Sequence, residues 1–247
     1  MKKNILITGK TSKFFKFLNL SSYKKDYNFF TPDKKKFNIL NFNQMLKYAK
    51  MKKITHIIHI AGLSSPIKVH EKNINTSIDL NIIGTANIVK ICNLLNIKLI
   101  FFSTNYVYPG TKGNYKEIDF LKPFNNYGWS KLGAECSVQM LSKFLILRIS
   151  MTDFPFSYKA AIKDAYASLI FNKKLATIII NLIDVTGVIN VGGKRREIYK
   201  FAKIFSNKKI KSINIKNLKN YPKDTSLNIS KFKEILKKKK IYKEIIL

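Results

Sequence analysis

Lys3-Asn-Ile-Leu-Ile-Thr-Gly9-Lys-Thr-Ser12-Lys-Phe-Phe15 decides how the rest of the chain is read. Its first half is a short apolar run rich in β-branched residues and closed by a glycine. It reads as a buried strand followed by a turn. The spacing of Phe14, Phe15, Phe17 and Leu18 predicts a helix over Ser12 to Leu20. The same unit then recurs. Tyr27 to Phe30 reads as a second strand, ended by Thr31-Pro32-Asp33, and Phe42 to Met51 as a helix. Ile54 to Ile60 is a third strand running into Ala61-Gly62, and Ile74 to Leu95 carries the strongest helical pattern. Lys98 to Ser103 and Phe144 to Ile149 are further strands, with a helix over Tyr127 to Leu141 between them. Strands alternating with helices predict a parallel sheet covered on both faces. With right-handed crossovers this is an α/β fold of the Rossmann type, a doubly wound parallel sheet.

After Ile149 the alternation weakens. Leu175 to Leu182 reads as a helix, Gly187 to Val191 as a strand, Arg196 to Phe205 as a helix, Ile210 to Ile215 as a strand and Ser230 to Lys239 as a last helix. The chain has 247 residues and 46% hydrophobic content, enough for a packed core. Its longest apolar stretch, Leu175 to Val191, is broken by Asn181, Asp184 and Thr186, so no membrane span is expected. The apolar part of the start is too short for a signal peptide, which points to a cytoplasmic protein. Cys92 and Cys136 lack metal-ligand spacing and read as small core fillers, and His56, His59 and His70 make no zinc pattern, so no metal is expected.

The formal charge of +32 raises nucleic acid as a partner, yet only three of the 46 basic residues are arginine (Arg148, Arg195, Arg196). Arginine is the usual reader of bases and phosphates. Lysines spread along the whole chain read instead as a solvated surface, with no specific nucleic acid. Such a surface still attracts anionic small molecules, dinucleotides and nucleotide sugars among them.

The chemistry sits in Tyr127-Gly-Trp-Ser-Lys131, some twenty residues after Ser103-Thr104-Asn105-Tyr106. On a helix, residues four apart share a face, so the phenol and the ammonium project side by side. A strand ending at Thr104 brings a hydroxyl to the same place. A free tyrosine ionises near ~10 and is sluggish at neutral pH, and a neighbouring cation lowers that value. A hydroxyl aimed at a carbonyl oxygen stabilises charge as it develops. The three groups together can move a proton to or from a carbonyl while a hydride moves.

Taken in order, these motifs resemble the extended short-chain dehydrogenase/reductase superfamily, and within it the dTDP-4-dehydrorhamnose reductases and related nucleotide-sugar reductases. The resemblance implies residues 1–150 as a Rossmann dinucleotide-binding domain. It implies 151–247 as a reduced, small C-terminal α/β substrate-binding region, with about 175–205 returning to the Rossmann sheet. It implies NADH or NADPH as cofactor, with Gly9, Thr11, Ser12 and Lys13 at the pyrophosphate, Asn38 and Ile39 near the adenine, and Ala61 and Gly62 along the dinucleotide. Ser12 and Phe15 stand where the family has its second and third glycines. Asp33 suits the ribose hydroxyls of NAD, and Lys34 to Lys36 the 2′-phosphate of NADP. Asn81 is similar to the family asparagine that holds the active-site strand and helix in register. Tyr127 is implied as proton donor, Lys131 as its tuner and the ligand of the nicotinamide ribose, and Thr104 as the group polarising the keto oxygen, with Asn105 beside the substrate. Dehydratases of the superfamily carry Asp-Glu where this chain has Asn105-Tyr106, so water elimination is not expected. The implied function is reduction of a 4-keto nucleotide sugar for deoxysugar or surface polysaccharide synthesis, with a homodimer as the candidate assembly. A nucleotide-sugar epimerase on NAD, or a non-catalytic nucleotide-binding module regulating a partner, are the alternatives.

Overall fold

The computed structural model describes residues 2–64, 67–218 and 221–242. Five strands lead into the site: β1 (Lys3–Ile7), β2 (Tyr27–Phe30), β3 (His56–His59), β4 (Lys98–Thr104) and β5 (Phe144–Ile149). A sixth, Gly187–Val191, pairs with β5, and the six form one sheet in the order sixth, β5, β4, β3, β1, β2. Every pairing is parallel. Ile5 lies between Phe29 of β2 and His56 of β3, and Ile100 between Ile58 of β3 and Leu145 of β5. All of β4 is buried, because a parallel sheet is covered on both faces.

Two apolar layers provide the cover. One packs Leu175, Ile178, Leu182 and Phe232 against one face. The other packs Met45, Ile88, Ile91, Ala134 and Val138 against the opposite face. The helix Phe42–Met51 starts at Asn41, whose side chain accepts the Gln44 amide, and Asn126–Val138 starts at Asn125, which accepts the Gly128 amide. Both are cap residues of the expected kind. The chain leaves β1 for the edge strand β2 and returns on the other side to β3. That reversal is the switch point at which doubly wound sheets hold ligands.

Four expectations need correction. The helix expected over Ser12 to Leu20 is replaced by two 3₁₀ turns, Phe15–Phe17 and Leu20–Tyr23. Phe14, Phe15 and Leu18 all pack toward the same core, and Phe14 meets Phe102 edge-on at 5.0 Å. This aromatic bulk occupies the space a small residue would leave for a helix lying close on the sheet. Second, the helix over Ile74 to Leu95 contains a π-helical segment, Ile78–Ile83, before Gly84–Leu94. Third, Arg196 and Glu197 pair antiparallel with Tyr166–Ala167, so that helix begins at Ile198. Fourth, Cys92 is buried but Cys136 is exposed on its helix. The remaining expected elements appear within a few residues of their reading.

Segments from both sides of the sixth strand in sequence build a small third cluster of Phe156, Ala161, Phe201 and Ile210. Around it Lys211–Asn214 pairs with Ala160–Lys163. Among the described residues no helix is long and apolar enough to cross a membrane, and no group of side chains is arranged to hold a metal ion.

Candidate active site

The ends of β1 and β3 meet at the switch point. Thr8 ties them together: its hydroxyl accepts the Ile60 and Ala61 amides, both at 3.1 Å, and bonds His59 Nδ1 at 2.8 Å. Gly9 has φ +78°, and a Cβ there would come within 2.8 Å of the Ala61 nitrogen. Only glycine fits that approach. Gly62 is also left-handed, with Asn81 Oδ1 2.7 Å from where its Cβ would lie. Asn81 belongs to the π-helical segment and works in three directions. Its carbonyl oxygen accepts the Leu63 amide, and its amide donates to the Leu63 carbonyl and to Ser130 Oγ. Ser130 in turn donates to the Tyr127 carbonyl. The loop after β3 is thereby bonded to the helix that carries Tyr127. π-bulges concentrate at functional sites, and this one points the asparagine into that junction.

Thr104, Tyr127 and Lys131 converge beyond the end of β4. Thr104 is the last residue of the strand, and its hydroxyl lies within hydrogen-bonding reach of the Tyr127 phenol. Lys131 follows one turn along the helix, buried, its Nζ 4.1 Å from the centre of the Phe101 ring. Burial pushes the Tyr127 phenol up to about 12; the Thr104 hydrogen bond opposes this and Tyr106 adds to it. Burial also drives Lys131 down to about 7, against the pull of Glu135. Burial thus works against the positive charge that the sequence reading gives Lys131. The phenol is a protonated donor throughout the ordinary pH range.

Beside this cluster opens a cleft of about 590 Å³ lined by Ile67, Tyr106, Phe124, Trp129, Tyr221 and Pro222. Tyr106 packs on Phe124 at 4.9 Å and edge-on to Tyr127 at 6.2 Å, and bonds the Tyr221 phenol. A second groove, of about 640 Å³, lies at the end of β2 and is lined by Lys10, Phe30, Asp33, Lys36, Lys47 and Tyr48 among others.

The other expected site residues are distributed as follows. Thr11 and Lys13 are exposed on the loop after β1, next to half-buried Gly9 and Ser12. Lys13 is bonded to Asp153 at 2.9 Å. Ser12 Oγ accepts the Phe15 amide, closing the turn. Asn38 caps a tight turn by accepting the Leu40 amide, and Ile39 is buried against Gly84, its carbonyl accepting from Asn87. Asn105 is buried, and its amide donates to the Thr225 carbonyl at 3.2 Å. Sequence reasoning missed three participants: Tyr221 as the partner of Tyr106, His70 against Tyr127, and the buried Glu135–Arg148 pair behind Lys131. The spacing of Lys131 and Glu135, one turn apart with an arginine in the next strand, is the signal from which the last could have been found.

Comparison with known proteins adds a family. The RmlD substrate binding domain model matches residues 1–154, more than half of the chain. Among curated proteins, methionine adenosyltransferase 2 subunit beta of Bos taurus is 34% identical over 82 residues, 33% of this chain and 24% of that protein. dTDP-4-dehydrorhamnose reductase of Aggregatibacter actinomycetemcomitans is 34% identical over 98 residues, 39% of this chain and 33% of that protein. The chain thus matches only a quarter to a third of the length of these curated relatives. Among solved structures, dTDP-4-dehydrorhamnose reductase of Bacillus anthracis in complex with NADP superimposes with a TM-score of 0.83 at 22% identity, covering 95% of this chain and 93% of that one. A hypothetical dTDP-4-dehydrorhamnose reductase of Sulfolobus tokodaii gives 0.79 at 24% identity, covering 96% and 95%. At these identities the likeness is one of fold.

Proposed function

Since the chain belongs to the RmlD substrate binding domain family, we propose that it is an NAD(P)H-dependent reductase of a 4-keto nucleotide sugar, of the dTDP-4-dehydrorhamnose reductase kind. The observation that carries this reading is the convergence of the Thr104 hydroxyl on the Tyr127 phenol, with Lys131 one turn behind.

The residues present fit a dinucleotide. Gly9 lets the loop after β1 close on the Ala61 backbone, and Gly62 lets the Asn81 side chain approach. The amides of Lys10, Thr11 and Lys13 have no protein acceptor among the described residues. The missing first helix removes a helix N-terminus from beneath the pyrophosphate, so these loop amides and Lys13 carry that contact. A bound reduced nicotinamide would supply hydride to the keto carbon. Thr104 donates a hydrogen bond to the keto oxygen, and Tyr127 gives it a proton. Lys131, buried one turn along the same helix, supplies positive charge when protonated. Because the phenol titrates only at about 12, this group holds the reduction rate level from neutral pH to well above it. Loss of the donor begins only as pH approaches that value.

The groove at the end of β2 supports NADPH over NADH. Asp33 Oδ1 already accepts the Lys36 amide at 3.0 Å, whereas Lys10, Lys36 and Lys47 have no carboxylate partner among the described residues. Replacing Lys36 and Lys47 with alanine weakens NADPH binding by roughly tenfold for each charge-assisted hydrogen bond lost, and leaves NADH within about twofold. Titration of nucleotide fluorescence measures both. Equal losses for the two nucleotides would place the 2′-phosphate elsewhere.

A second reading has a specific observation behind it. The loop after β1 lacks its helix, and Lys13 is engaged by Asp153. Both features suit a non-catalytic module that regulates a partner, and matched relatives carry the name of a subunit, methionine adenosyltransferase 2 subunit beta. Dinucleotide binding without turnover of any keto sugar would select it. We place the chain in the cytoplasm, as a homodimer without sequence-specific nucleic-acid binding; the scarcity of arginine supports the last point.

A further inference from the structure

Two buried side-chain polar atoms have no hydrogen-bond partner among the described residues, Asn172 Oδ1 and His70 Nε2. The second lies beside the proton donor. His70 is fully buried, and its ring centre is 4.9 Å from that of Tyr127, tilted by 54°. The ring is fixed through Nδ1, which bonds Ser77 Oγ at 2.7 Å. Its short helix, Lys68–Lys72, is clamped to the start of the Tyr127 helix. Glu71 accepts the Asn126 backbone amide at 3.0 Å and the Asn126 side chain at 2.7 Å, and the His70 carbonyl accepts from that side chain at 3.4 Å. Asn126 is the residue before Tyr127, so imidazole and phenol are held in register.

We propose that His70 is a further positioning residue of this site: its Nε2–H donates a hydrogen bond to the Tyr127 phenolate oxygen at the moment the phenol proton leaves. This inference rests on the reductase reading. A buried ring nitrogen without a partner is costly in the resting protein. An interaction formed only as charge develops accelerates the step. While Tyr127 is a neutral phenol its oxygen is a weak acceptor; as a phenolate it is a strong one. In the tautomer concerned, Ser77 donates to Nδ1 and the proton sits on Nε2. The balance is closed. The Tyr127 O–H bond breaks, a new O–H bond forms on the former keto oxygen, hydride comes from reduced nicotinamide dinucleotide, and His70 keeps its own proton.

The surroundings agree. Tyr127 is faced by Thr104 from β4 and by Tyr106 from the turn after it, and Lys131 stands one turn along the same helix. His70 is faced by Glu71, Lys131, Ser77 and Tyr127. Burial holds the imidazole below its ordinary value; Glu71 opposes this and Lys131 adds to it. The ring is therefore neutral at physiological pH and has a single N–H to offer.

Two measurements test this. In the wild-type protein, ¹⁵N resonances of the three histidines, assigned with His70→Phe or, if that variant does not fold, His70→Gln, are expected to show His70 protonated at Nε2 and bare at Nδ1. A proton on Nδ1 overturns the proposal whether or not the protein turns over. In steady-state reduction, His70→Phe keeps the ring but is expected to lower kcat about tenfold, as for one unit of lost phenolate stabilisation. KM and dinucleotide affinity stay level, the solvent deuterium isotope effect grows, and His70→Gln, which restores a donor, recovers much of the rate. Wild-type turnover in His70→Phe overturns the inference and leaves the reductase reading standing. No turnover in the wild type counts against the reductase reading instead.

Discussion

Tyr127→Phe lowers kcat for reduction of the keto substrate about 10³-fold, the scale of a lost general acid, while dinucleotide affinity stays within about twofold. The substitution removes one oxygen and keeps the ring. The contacts of that ring with His70 at 4.9 Å and Tyr106 at 6.2 Å survive, as do the Asn125 cap and the Asn81–Ser130 bonds that hold the helix. The structural cost is the hydrogen bond with Thr104, worth about 1 kcal/mol net. Chemistry and stability therefore separate. Single-turnover rates drop by three decades while the melting temperature moves by a few degrees. A parallel collapse of both would make Tyr127 a packing residue.

The second large effect is on stability. Glu135→Gln unfolds the protein more readily by about 3–5 kcal/mol, because it strands a buried arginine. Arg148 and Glu135 are both essentially sealed from solvent, and the pair is made through Nη2 at 2.8 Å and through Nε to both carboxylate oxygens at 3.2 Å. Ser103 donates to the same carboxylate. Arg148 Nη1 donates to the Tyr108 phenol and the Glu117 carbonyl, each at 2.9 Å. The network joins β4, β5 and the Tyr127 helix directly behind Lys131. Losing the anion leaves the guanidinium with hydrogen bonds and no compensating charge. Against a total stability of about 5–15 kcal/mol the loss is severe. Replacing both partners by methionine costs far less, since no lone charge remains. Urea unfolding of the single and double variants measures the difference. A single variant as stable as the double would show the pair to be screened.

Much of the sheet was legible because buried parallel strands are written as short unbroken apolar runs, as in Leu99 to Phe102 and Phe144 to Leu147. The Tyr127 helix was legible through its spacing, and its Asn125 cap came only with the structure. The first helix was misread for a physical reason. Phe14, Phe15, Phe17 and Leu18 have helical spacing, yet aromatic volume next to the sheet displaced the helix that the spacing describes. The π-helical segment at Asn81 could not be read, since it depends on what the asparagine bonds across the junction. Tyr127 and Lys131 were read from their spacing together with the strand motif that ends at Thr104. Their proton affinities were not, because burial outweighs the Thr104 hydrogen bond for the phenol and the Glu135 charge for the amine. His70, far from Tyr127 in sequence, becomes its neighbour only through the clamp on Asn126.

Mixing the purified protein with NADPH and a dTDP-4-keto-6-deoxysugar, and following absorbance of the reduced nicotinamide, tests the central claim most directly. The expected result is stoichiometric loss of that absorbance with appearance of a dTDP-deoxysugar, abolished in Tyr127→Phe. Tight NADPH binding with no oxidation across a panel of 4-keto nucleotide sugars would contradict it.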